Sequence, residues 1–465
     1  MGFLSFDGVI TGQSSGPAGM QSVGFFLFAM FLAHFFSLLF AWYLYKTKAS
    51  IKTHGKLVVF LALFFCLVAS LGSAPWLDDD IYRYMWDGYV SSIGQNVIYS
   101  NPENIVLLDT TLFPKKTYDL ISYKNVATVY PPVAQSFFEF SWIRFGDRVQ
   151  GWAGISSILY ILSVIVIHRI VIFKKIPVFI FCLLALNPTF IKEFADTAHV
   201  DILGFFLLMM GILIHLKTPV GSKRWLHASL SAVLFALAAL VKPVALLVLP
   251  FLSFKNKTLL FFTAILTTVF SSVGMHLSYN SPEDIKYFIS ALKYFSDHWI
   301  FNPSVLDSFA EIHQIVLKSS KYDSMIWGAK ISKYLSYSIF FVCIILSLFK
   351  DHAKILFAVC GLTGFYFLNP VINTWYLIWI MPAIILLPWH KNLKLSCLVA
   401  APAYLMTILS LSGYLYWIAL EDFTLTRRLI WLGWLIVTVV ISKTVLGLNR
   451  SAKKLQRVTS EHENS

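Results

Sequence analysis

Long apolar runs separated by short polar connectors follow one another along most of this 465-residue chain. Runs of about 18 to 20 apolar residues are long enough to cross a bilayer core of roughly 30 Å as helices. The pattern therefore predicts an all-α polytopic membrane protein, a bundle of about thirteen transmembrane helices in a single integral membrane domain over residues 1–465. The predicted spans are 21–45, 57–76, 149–171, 176–191, 199–217, 226–241, 243–253, 257–277, 331–350, 354–370, 374–388, 395–417 and 428–449.

Two stretches break the regular pattern. Residues 131–146 are short and charged, and we predict an amphipathic helix that lies in the membrane interface. The run 226–253 is interrupted by Lys242 and Pro243; proline breaks a helix and lysine resists burial in a bilayer. We predict a short helical hairpin with these two residues at its tip. The alternative is one long kinked helix in which the ammonium group of Lys242 reaches the interface.

The distribution of basic residues predicts how the chain is oriented across the membrane. The net charge of +13 arises from lysines and arginines in the short connectors, which is the pattern of cytoplasmic loops and not of a nucleic-acid-binding surface. These residues are Lys46, Lys48, Lys52, Lys56, Arg169, Lys174, Lys175, Lys217, Lys223, Arg224, Lys255, Lys257, Lys391, Lys394, Lys443, Arg450, Lys453, Lys454 and Arg457. We expect a multi-pass protein of the cell membrane with a cytoplasmic C-terminus.

This topology leaves two long extracytoplasmic loops, 78–130 and 278–330. The first carries seven acidic residues and four basic ones, the reverse of the cytoplasmic connectors. Long polar loops on one face of a membrane bundle are candidates for function. We therefore expect the first loop to be the catalytic one.

The most unusual stretch in that loop is "DDDIYRYMWDG", residues 78–88. A helix that begins near Asp78 places Asp80, Arg83, Tyr84 and Asp87 on one face. A helix N-terminus needs one carboxylate as a cap, and we assign that role to Asp78, whereas adjacent carboxylates at a bilayer edge repel each other. A carboxylate here can take a proton from an acceptor hydroxyl while a charged group holds a phosphate leaving group. The alternative is a capped helix whose Arg83 forms a surface ion pair.

The same stretch, with "NPEN" (101–104) and "TVYPPVAQ" (128–135), resembles bacterial polyprenyl-phosphate-dependent mannosyltransferases of the glycosyltransferase C (GT-C) superfamily. Their pattern is an acidic pair, a Tyr-Arg-Tyr-like stretch, Trp-Asp-Gly, a Gly-x-Asn-Pro-Tyr turn and Tyr-Pro-Pro. The segments "ALVKPVALLVLP" (239–250), "HWIFNPSVL" (298–306) and "NPVINTWYLIWIMP" (369–382) are similar to later landmarks of that group. The resemblance implies a GT-C-like bundle in the bacterial cytoplasmic (inner) membrane.

The resemblance also implies an inverting sugar transfer outside the cytoplasm. Carried over residue by residue, the acidic pair falls on Asp79 and Asp80, one of which would be the general base. We favour Asp80 because it shares a face with Arg83, Tyr84 and Asp87, which we count with it as substrate-binding candidates.

Other positions carry over to substrate binding. Tyr130, Pro131 and Pro132 would shape the donor site, and Arg83 and Lys242 would hold the lipid phosphate by charge-assisted hydrogen bonds. The chain departs from the pattern at "GQNVIY" (94–99), where the related sequences have Gly-x-Asn-Pro-Tyr. This departure leaves the identity of the acceptor open.

Two weaker signals lie elsewhere. The outer connector 187–201 carries five polar residues that are candidates to line the cavity or to bind a metal: Lys192, Glu193, Asp196, His199 and Asp201. The metal is considered because Asp196 and His199 are three residues apart, and the alternative is a polar connector held by ion pairs. His298 and Trp299 are candidates for sugar binding, because an indole face stacks on a sugar ring, or else they anchor the chain at the interface.

These observations predict an enzyme. No glycine-rich nucleotide fingerprint occurs in the sequence, which disfavours a nucleotide-sugar donor. We expect a hexose, mannose by the resemblance, to move from a polyprenyl-phosphate donor to a lipid or glycan acceptor in the bilayer, with no nucleic-acid partner. We assign no metal ligands and no required cofactor, although a divalent metal stays possible. The alternatives are a transporter or flippase of a lipid-linked saccharide, which would carry repeated halves, and a polymer ligase.

Overall fold

A computed structural model describes residues 17–72, 75, 77–97, 101–103, 114–219, 221–252, 257–279, 281–350, 353–416, 427–436 and 438. Within these residues the chain is helical, without a β-strand, and one isolated bridge pairs Phe301 with Val371. The predicted all-α class is confirmed. Apolar side chains at helical spacing form these segments, and their inward faces build the main core between the first two helices and the segments 160–212 and 340–406.

The helices follow one another in a simple order. In the first half they are α1 (Pro17–Lys46), α2 (Ile51–Ala69), α3 (Asp80–Ser92), α4 (Lys115–Asp119), α5 (Pro132–Phe145), α6 (Val149–Lys174), α7 (Val178–Ala185), α8 (Pro188–Ile191) and α9 (Asp201–Leu216). In the second half they are α10 (Lys223–Ala239), α11 (Lys257–Ser278), α12 (Pro282–His298), α13 (Leu306–Leu317), α14 (Lys321–Phe349), α15 (Lys354–Leu368), α16 (Met381–Leu386), α17 (Leu393–Leu409) and α18 (Gly413–Tyr416).

Seven helices among the described residues are long and apolar enough to cross a membrane. They cover Gly24–Lys46, Ile51–Ala69, Val149–Lys174, Val178–Asp196, Phe261–Ser278, Lys321–Phe349 and Leu393–Ser412. Three shorter apolar segments, Asp201–Leu216, Lys354–Leu368 and Thr374–Leu386, accompany them. The chain is thus a polytopic membrane protein, in which several of the predicted spans are shorter helices. Most of the last predicted span, 428–449, lies outside the described residues.

The loop that carries the acidic stretch is itself helical and packs closely on α5. A Cβ atom at Gly88 would collide with the carbonyl oxygen of Phe138, so only glycine allows the backbones of α3 and α5 to approach this far. Tyr84 stacks on Phe138 with ring centroids 4.7 Å apart. The glycine of the Trp-Asp-Gly element therefore sets the position of α3.

The chain leaves α-helical geometry at several points around the site. Lys192–Asp196 is a π-helix, and Pro243–Phe251 and Thr374–Ile380 are 3₁₀-helices. Lys242 is extended (φ −155°, ψ 119°), so the helical backbone is interrupted between α10 and the following 3₁₀-helix. Leu77 and Ala198 adopt left-handed φ values of 59° and 55°. Non-glycine residues in this region are strained, and such strain is concentrated at functional sites.

Candidate active site

The three consecutive aspartates occupy different surroundings. Asp80 is the first residue of α3, and Asp79 precedes it without a side-chain capping bond. Asp78 takes the capping role, because its Oδ1 accepts the backbone N–H of Asp80 at 3.0 Å. Asp79 accepts a hydrogen bond from the hydroxyl of Ser122. The side chain of Asp80 keeps 36% of its surface exposed, so this carboxylate remains accessible.

The four residues predicted to share one face of α3 form two hydrogen-bonded pairs, Asp80 with Tyr84 and Arg83 with Asp87. The hydroxyl of Tyr84 donates to Oδ2 of Asp80 at 3.4 Å. Nε of Arg83 donates to Oδ1 of Asp87 at 2.8 Å, and Nη1 donates to the carbonyl oxygen of Val126 at 2.9 Å. Arg83 thus ties α3 to the following loop.

Asp87 is buried and accepts from three protein donors. Besides Arg83, Thr128 donates through Oγ1 at 2.7 Å and Gln135 donates through Nε2 at 3.1 Å, both to Oδ2. A carboxylate with these partners fixes the loop against α5. Asp87 therefore has a structural role, in which it holds Arg83 and the loop around Thr128 in place.

His199 lies at the centre of the cluster, fully buried and immediately after the left-handed Ala198. Its Nε2 is 3.4 Å from Oδ2 of Asp78 and 3.3 Å from Oε2 of Glu193. Its Nδ1 is 3.7 Å from Oδ2 of Asp80. The imidazole ring stacks on Trp375 with centroids 3.7 Å apart. His199 thus connects the acidic stretch to the π-helix, and one donor atom each from Asp78, Asp80 and His199 lie within 4.8 Å of one another, close enough to hold a metal ion.

Glu193 lies on the π-helix, and hydrogen-bond donors surround its buried carboxylate. Thr374 and Tyr414 donate to its Oε1 at 2.5 and 2.7 Å. The Nζ of Lys192 lies 3.3 Å from Oε2, and Thr197 donates to the same oxygen at 3.3 Å. A buried carboxylate is stable when it is paired and hydrogen-bonded, and here two partners are neighbours in the chain and two lie about 180 and 220 residues further along it.

Lys242 and Asp201 form a second buried pair. Nζ of Lys242 donates to both carboxylate oxygens of Asp201 at 2.9 and 2.8 Å. The indole N–H of Trp379 donates to Oδ1 of Asp201 at 2.7 Å. The ammonium group also lies 4.0 Å above the ring of Tyr376. Lys242, predicted to hold a phosphate, is thus bound by protein groups on two sides.

A cleft opens beside the aspartates. Its lining includes Asp79, Asp80, Arg83 and a set of aromatic residues: Tyr123, Tyr130, Tyr294, Phe295 and Trp299. Ser122, Val126, Ala127 and Val129 complete it. The cleft has about 620 Å³ of empty space, including its open side. The structure thus brings Asp79, Asp80, Arg83, Tyr130 and Trp299 together around one cleft.

Other predicted residues lie beside the cleft without lining it. Tyr84 stands behind Asp80, and its hydroxyl lies 3.5 Å from that of Tyr130. Pro131 precedes the first residue of α5 and is not among the residues that line the cleft. His298 ends α12, and its side chain lies outside the described residues.

A second cavity is an apolar groove whose lining includes two residues of the π-helix. It runs along α1 from Phe26 to Phe40, a rise of roughly 20 Å at 1.5 Å per residue, and its second wall includes Phe65 of α2. The groove has about 1570 Å³ of empty space, including its open side. Lys192 and Asp196 lie among its otherwise mainly apolar lining. Asp196 thus faces this groove.

The comparison with protein families decides the class of the chain. The model of glycosyltransferase family 87 matches residues 128–370, slightly more than half of the 465 residues. The chain belongs to glycosyltransferase family 87. It is therefore a membrane glycosyltransferase of the GT-C type. No curated protein and no solved structure matches the chain.

The family 87 match covers a defined part of the site. It includes Tyr130, Glu193, His199, Lys242 and Trp299. The acidic stretch 78–88 precedes the matched region, and the segments that bring Thr374–Trp379 and Tyr414 follow it. The site is thus assembled from matched and unmatched parts of the chain, which meet at His199 and Glu193.

Burial and neighbouring charges shift the pKa values of Asp79, Asp80 and His199 in this family 87 protein. Burial and the charges of Asp78 and Asp80 raise the pKa of Asp79 to about 8. Burial and Asp78 raise the pKa of Asp80 to about 7, although His199 opposes the rise. Burial lowers the pKa of His199, but Asp78 and Glu193 outweigh it and raise that pKa to about 10. A carboxylate that titrates near neutral pH is suited to general base catalysis.

Sequence reasoning missed several members of the family 87 site. Thr374, Trp375 and Trp379 fall in a segment predicted as an ordinary span, yet a 3₁₀-helix directs them to Glu193, His199 and Asp201 respectively. Tyr414 was hidden in another apolar run. The segment "NTWYLIW" (373–379) could have revealed the first three. It combines two polar residues with two indole rings, whereas a helix that faces lipid needs only apolar side chains.

Proposed function

We propose that the chain transfers a hexose from a polyprenyl-phosphate donor to a lipid or glycan acceptor at the extracytoplasmic membrane surface, with inversion at the sugar carbon. The observation that carries this proposal is the pair Asp79 and Asp80 in the lining of a cleft rich in aromatic side chains, in a chain that also has a long apolar groove. The carboxylates suit proton transfer, the aromatic rings suit a sugar, and the groove suits a hydrocarbon chain.

In the proposed reaction an acceptor hydroxyl attacks the anomeric carbon of the donor. A new carbon–oxygen bond forms as the bond between that carbon and the phosphate oxygen breaks, and the electron pair leaves with polyprenyl phosphate. Asp80 takes the hydroxyl proton, because it lines the cleft and hydrogen-bonds with Tyr84. Asp79, held by Ser122, stands next to it as the second candidate base.

The substrates are assigned by chemistry. Arg83 lines the cleft, and its Nη2 is a buried donor without a hydrogen-bond partner among the described residues, so a small movement of the side chain would offer it to an anionic or hydroxyl group. Trp299 and Tyr130 also line the cleft, and aromatic rings of this kind can stack on a sugar. The groove between α1 and α2 offers an apolar wall of roughly 20 Å to the lipid chain. Mannose as the sugar rests on the resemblance alone.

The membrane orientation belongs to the proposal as well. The basic connectors support a cytoplasmic side for Lys46–Lys56 and Arg169–Lys175, which leaves residues 78–130 and 278–330 outside. We propose the bacterial cytoplasmic membrane and a cytoplasmic C-terminus. The C-terminal basic residues lie outside the described residues.

A donor panel tests the function. Purified full-length protein in nanodiscs is incubated with membrane extract and with polyprenyl-phosphate hexoses or the matching nucleotide hexoses. We expect sugar transfer from the lipid-phosphate donors, with mannose preferred, and none from the nucleotide donors. We also expect long-chain donors to react faster than chains of two isoprene units, because only long chains fill the groove. Mass spectrometry of the lipid and glycan fractions identifies the product.

The panel has clear contrary outcomes. Transfer from nucleotide hexoses in the absence of any lipid-phosphate donor would overturn the donor class. Movement of a labelled lipid-linked saccharide across the bilayer without a new glycosidic bond would instead support the flippase alternative. Equal transfer rates with short-chain and long-chain donors would contradict the proposal that the groove binds the lipid chain of the donor.

The pH dependence of transfer follows from the raised pKa of Asp80. A general base works when deprotonated, so kcat/KM should fall about tenfold per pH unit below pH 7 and level off above pH 8. A carboxylate with the ordinary aspartate pKa near 3.9 would give a flat profile over the same range. Asp78→Asn removes the neighbouring negative charge and should move the midpoint to lower pH. A flat wild-type profile between pH 5.5 and 8 would contradict the assignment.

A further inference from the structure

His199 and Tyr84 form a hydrogen-bonded path to the carboxylate of Asp80. Nδ1 of His199 lies 3.3 Å from the hydroxyl oxygen of Tyr84, and that hydroxyl lies 3.4 Å from Oδ2 of Asp80. The direct distance from Nδ1 to Oδ2 is 3.7 Å, which is too long for a hydrogen bond. His199 therefore reaches Asp80 through the hydroxyl of Tyr84.

Packing fixes the two rings that form this path. Tyr84 is 1% exposed and stacks on Phe138 with an interplanar angle of 7°. His199 is fully buried and stacks on Trp375 with an interplanar angle of 15°. Side chains that packing holds in one orientation give a site a constant geometry. The hydroxyl of Tyr84 and Nδ1 of His199 therefore keep their positions next to Asp80.

The hydrogens of this path are assigned by counting donors and acceptors. A tyrosine hydroxyl donates one hydrogen and accepts through its oxygen lone pairs. Tyr130 donates to the oxygen of Tyr84 at 3.5 Å, and Tyr84 donates its hydrogen to Oδ2 of Asp80 when that carboxylate is ionised, as a base must be. Nδ1 of His199 must then donate to Tyr84. The hydrogen bonds thus point in one direction, from His199 through Tyr84 to Asp80.

The other nitrogen of the ring agrees with this assignment. Nε2 of His199 lies 3.4 Å from Oδ2 of Asp78 and 3.3 Å from Oε2 of Glu193. A neutral imidazole has one N–H group, whereas an imidazolium has two. Oxygen atoms beside both nitrogens favour the imidazolium form, in which Nδ1 carries a hydrogen. The ion pairs with Asp78 and Glu193 therefore keep Nδ1 a donor to Tyr84.

We propose that His199 is a positioning residue for the sugar transfer: its Nδ1–H fixes the hydroxyl of Tyr84, which fixes Oδ2 of Asp80 and leaves Oδ1 to receive the acceptor proton. This role rests on the proposed function, in which Asp80 is the base. Without the donor at Nδ1, the hydroxyl hydrogen of Tyr84 is free to turn away from Asp80. Neither His199 nor Tyr84 lines the cleft, so the loss affects the chemical step and not donor binding.

Removal of one hydroxyl group tests the path. Tyr84→Phe keeps the aromatic ring and deletes the link between His199 and Asp80. Full-length protein in nanodiscs is supplied with polyprenyl-phosphate mannose and membrane extract. We expect kcat to fall by about 10- to 100-fold while KM for the donor changes by less than about twofold. Tyr160→Phe is the matched control, because it also deletes a hydrogen-bonded hydroxyl of a buried tyrosine, and it should leave kcat unchanged.

Two substitutions of His199 separate the roles of its two nitrogens. The amide nitrogen of Asn is as many bonds from the backbone as Nδ1, and that of Gln is as many bonds away as Nε2. His199→Asn therefore keeps a donor for Tyr84, and its kcat should exceed that of His199→Gln by roughly tenfold. If His199 serves only to pair with Asp78 and Glu193, the order will be reversed, because Gln supplies the donor on that side.

The outcomes distinguish this role from the proposed function itself. Normal transfer by the wild type with unchanged kcat in Tyr84→Phe overturns the positioning role and leaves the function intact. A kcat of His199→Gln that equals or exceeds that of His199→Asn does the same. A wild type that transfers no sugar overturns both proposals. The thermal unfolding midpoint is recorded for every variant, and if the His199 variants do not fold, the comparison of Tyr84→Phe with Tyr160→Phe decides.

Discussion

Asp80→Asn is expected to lower kcat/KM for sugar transfer by roughly 10²–10⁴-fold, the usual contribution of a general base. The amide has nearly the same shape as the carboxylate and can still accept the hydrogen bond from Tyr84, but it cannot take the acceptor proton. Transfer from a polyprenyl-phosphate hexose in nanodiscs measures the effect. The thermal unfolding midpoint should stay near the wild-type value, because Asp80 lies partly exposed at the cleft.

Two further variants make this result specific. Asp147→Asn changes an exposed aspartate at the turn between α5 and α6 and should retain wild-type activity. Asp79→Asn tests the second candidate base, and we expect a smaller loss because Asp79 is held by Ser122. Near-normal transfer by Asp80→Asn, Asp79→Asn and the double variant would rule out the acidic pair as the source of the base.

Lys242→Met is expected to destabilise the protein by about 3–5 kcal/mol, the cost of leaving a buried charge without its partner. Asp201 is fully buried, and in this variant it keeps the hydrogen bond from the indole N–H of Trp379 but loses the ammonium group of Lys242. The measurement is the unfolding midpoint in detergent, together with KM for the donor. Adding Asp201→Asn should recover most of the loss, because the pair then contains no unbalanced charge.

The same experiment decides between two roles of Lys242. If Lys242 serves mainly to hold the donor phosphate, Lys242→Met will raise KM while the unfolding midpoint stays unchanged. Its bidentate contact with Asp201 and its position above Tyr376 favour the structural role. The exposed Lys116 of α4 provides the control, since Lys116→Met should alter neither quantity.

Strained and irregular backbone surrounds the site and explains why its residues can meet. The left-handed residues Leu77 and Ala198 each precede a residue of the cluster, Asp78 and His199 respectively. Between them the π-helix turns Glu193 toward His199. π-Helical turns inside longer helices often occur at functional sites. The strained residues and the π-helix together place three carboxylates around one imidazole. Regular helices at these positions would not produce this arrangement.

The sequence alone determined the architecture and the location of the acidic edge of the site. Apolar runs predict an all-α membrane protein because a bilayer leaves helices as the simplest way to satisfy backbone hydrogen bonds. The shared face of Asp80, Arg83, Tyr84 and Asp87 follows from helical spacing, and the hydrogen bonds along α3 agree with it. These features are local, so they can be read from neighbouring residues.

The tertiary structure alone decided which polar residues complete the site. Tyr84 and His199 are 115 residues apart, and Tyr414 reaches Glu193 across 221 residues. In an apolar interior each buried charge must find a partner, and the packing of distant helices decides which one is close enough. Spacing therefore predicts which residues share a helix face, whereas the folded chain determines that His199 joins Asp78, Asp80 and Glu193 in one cluster.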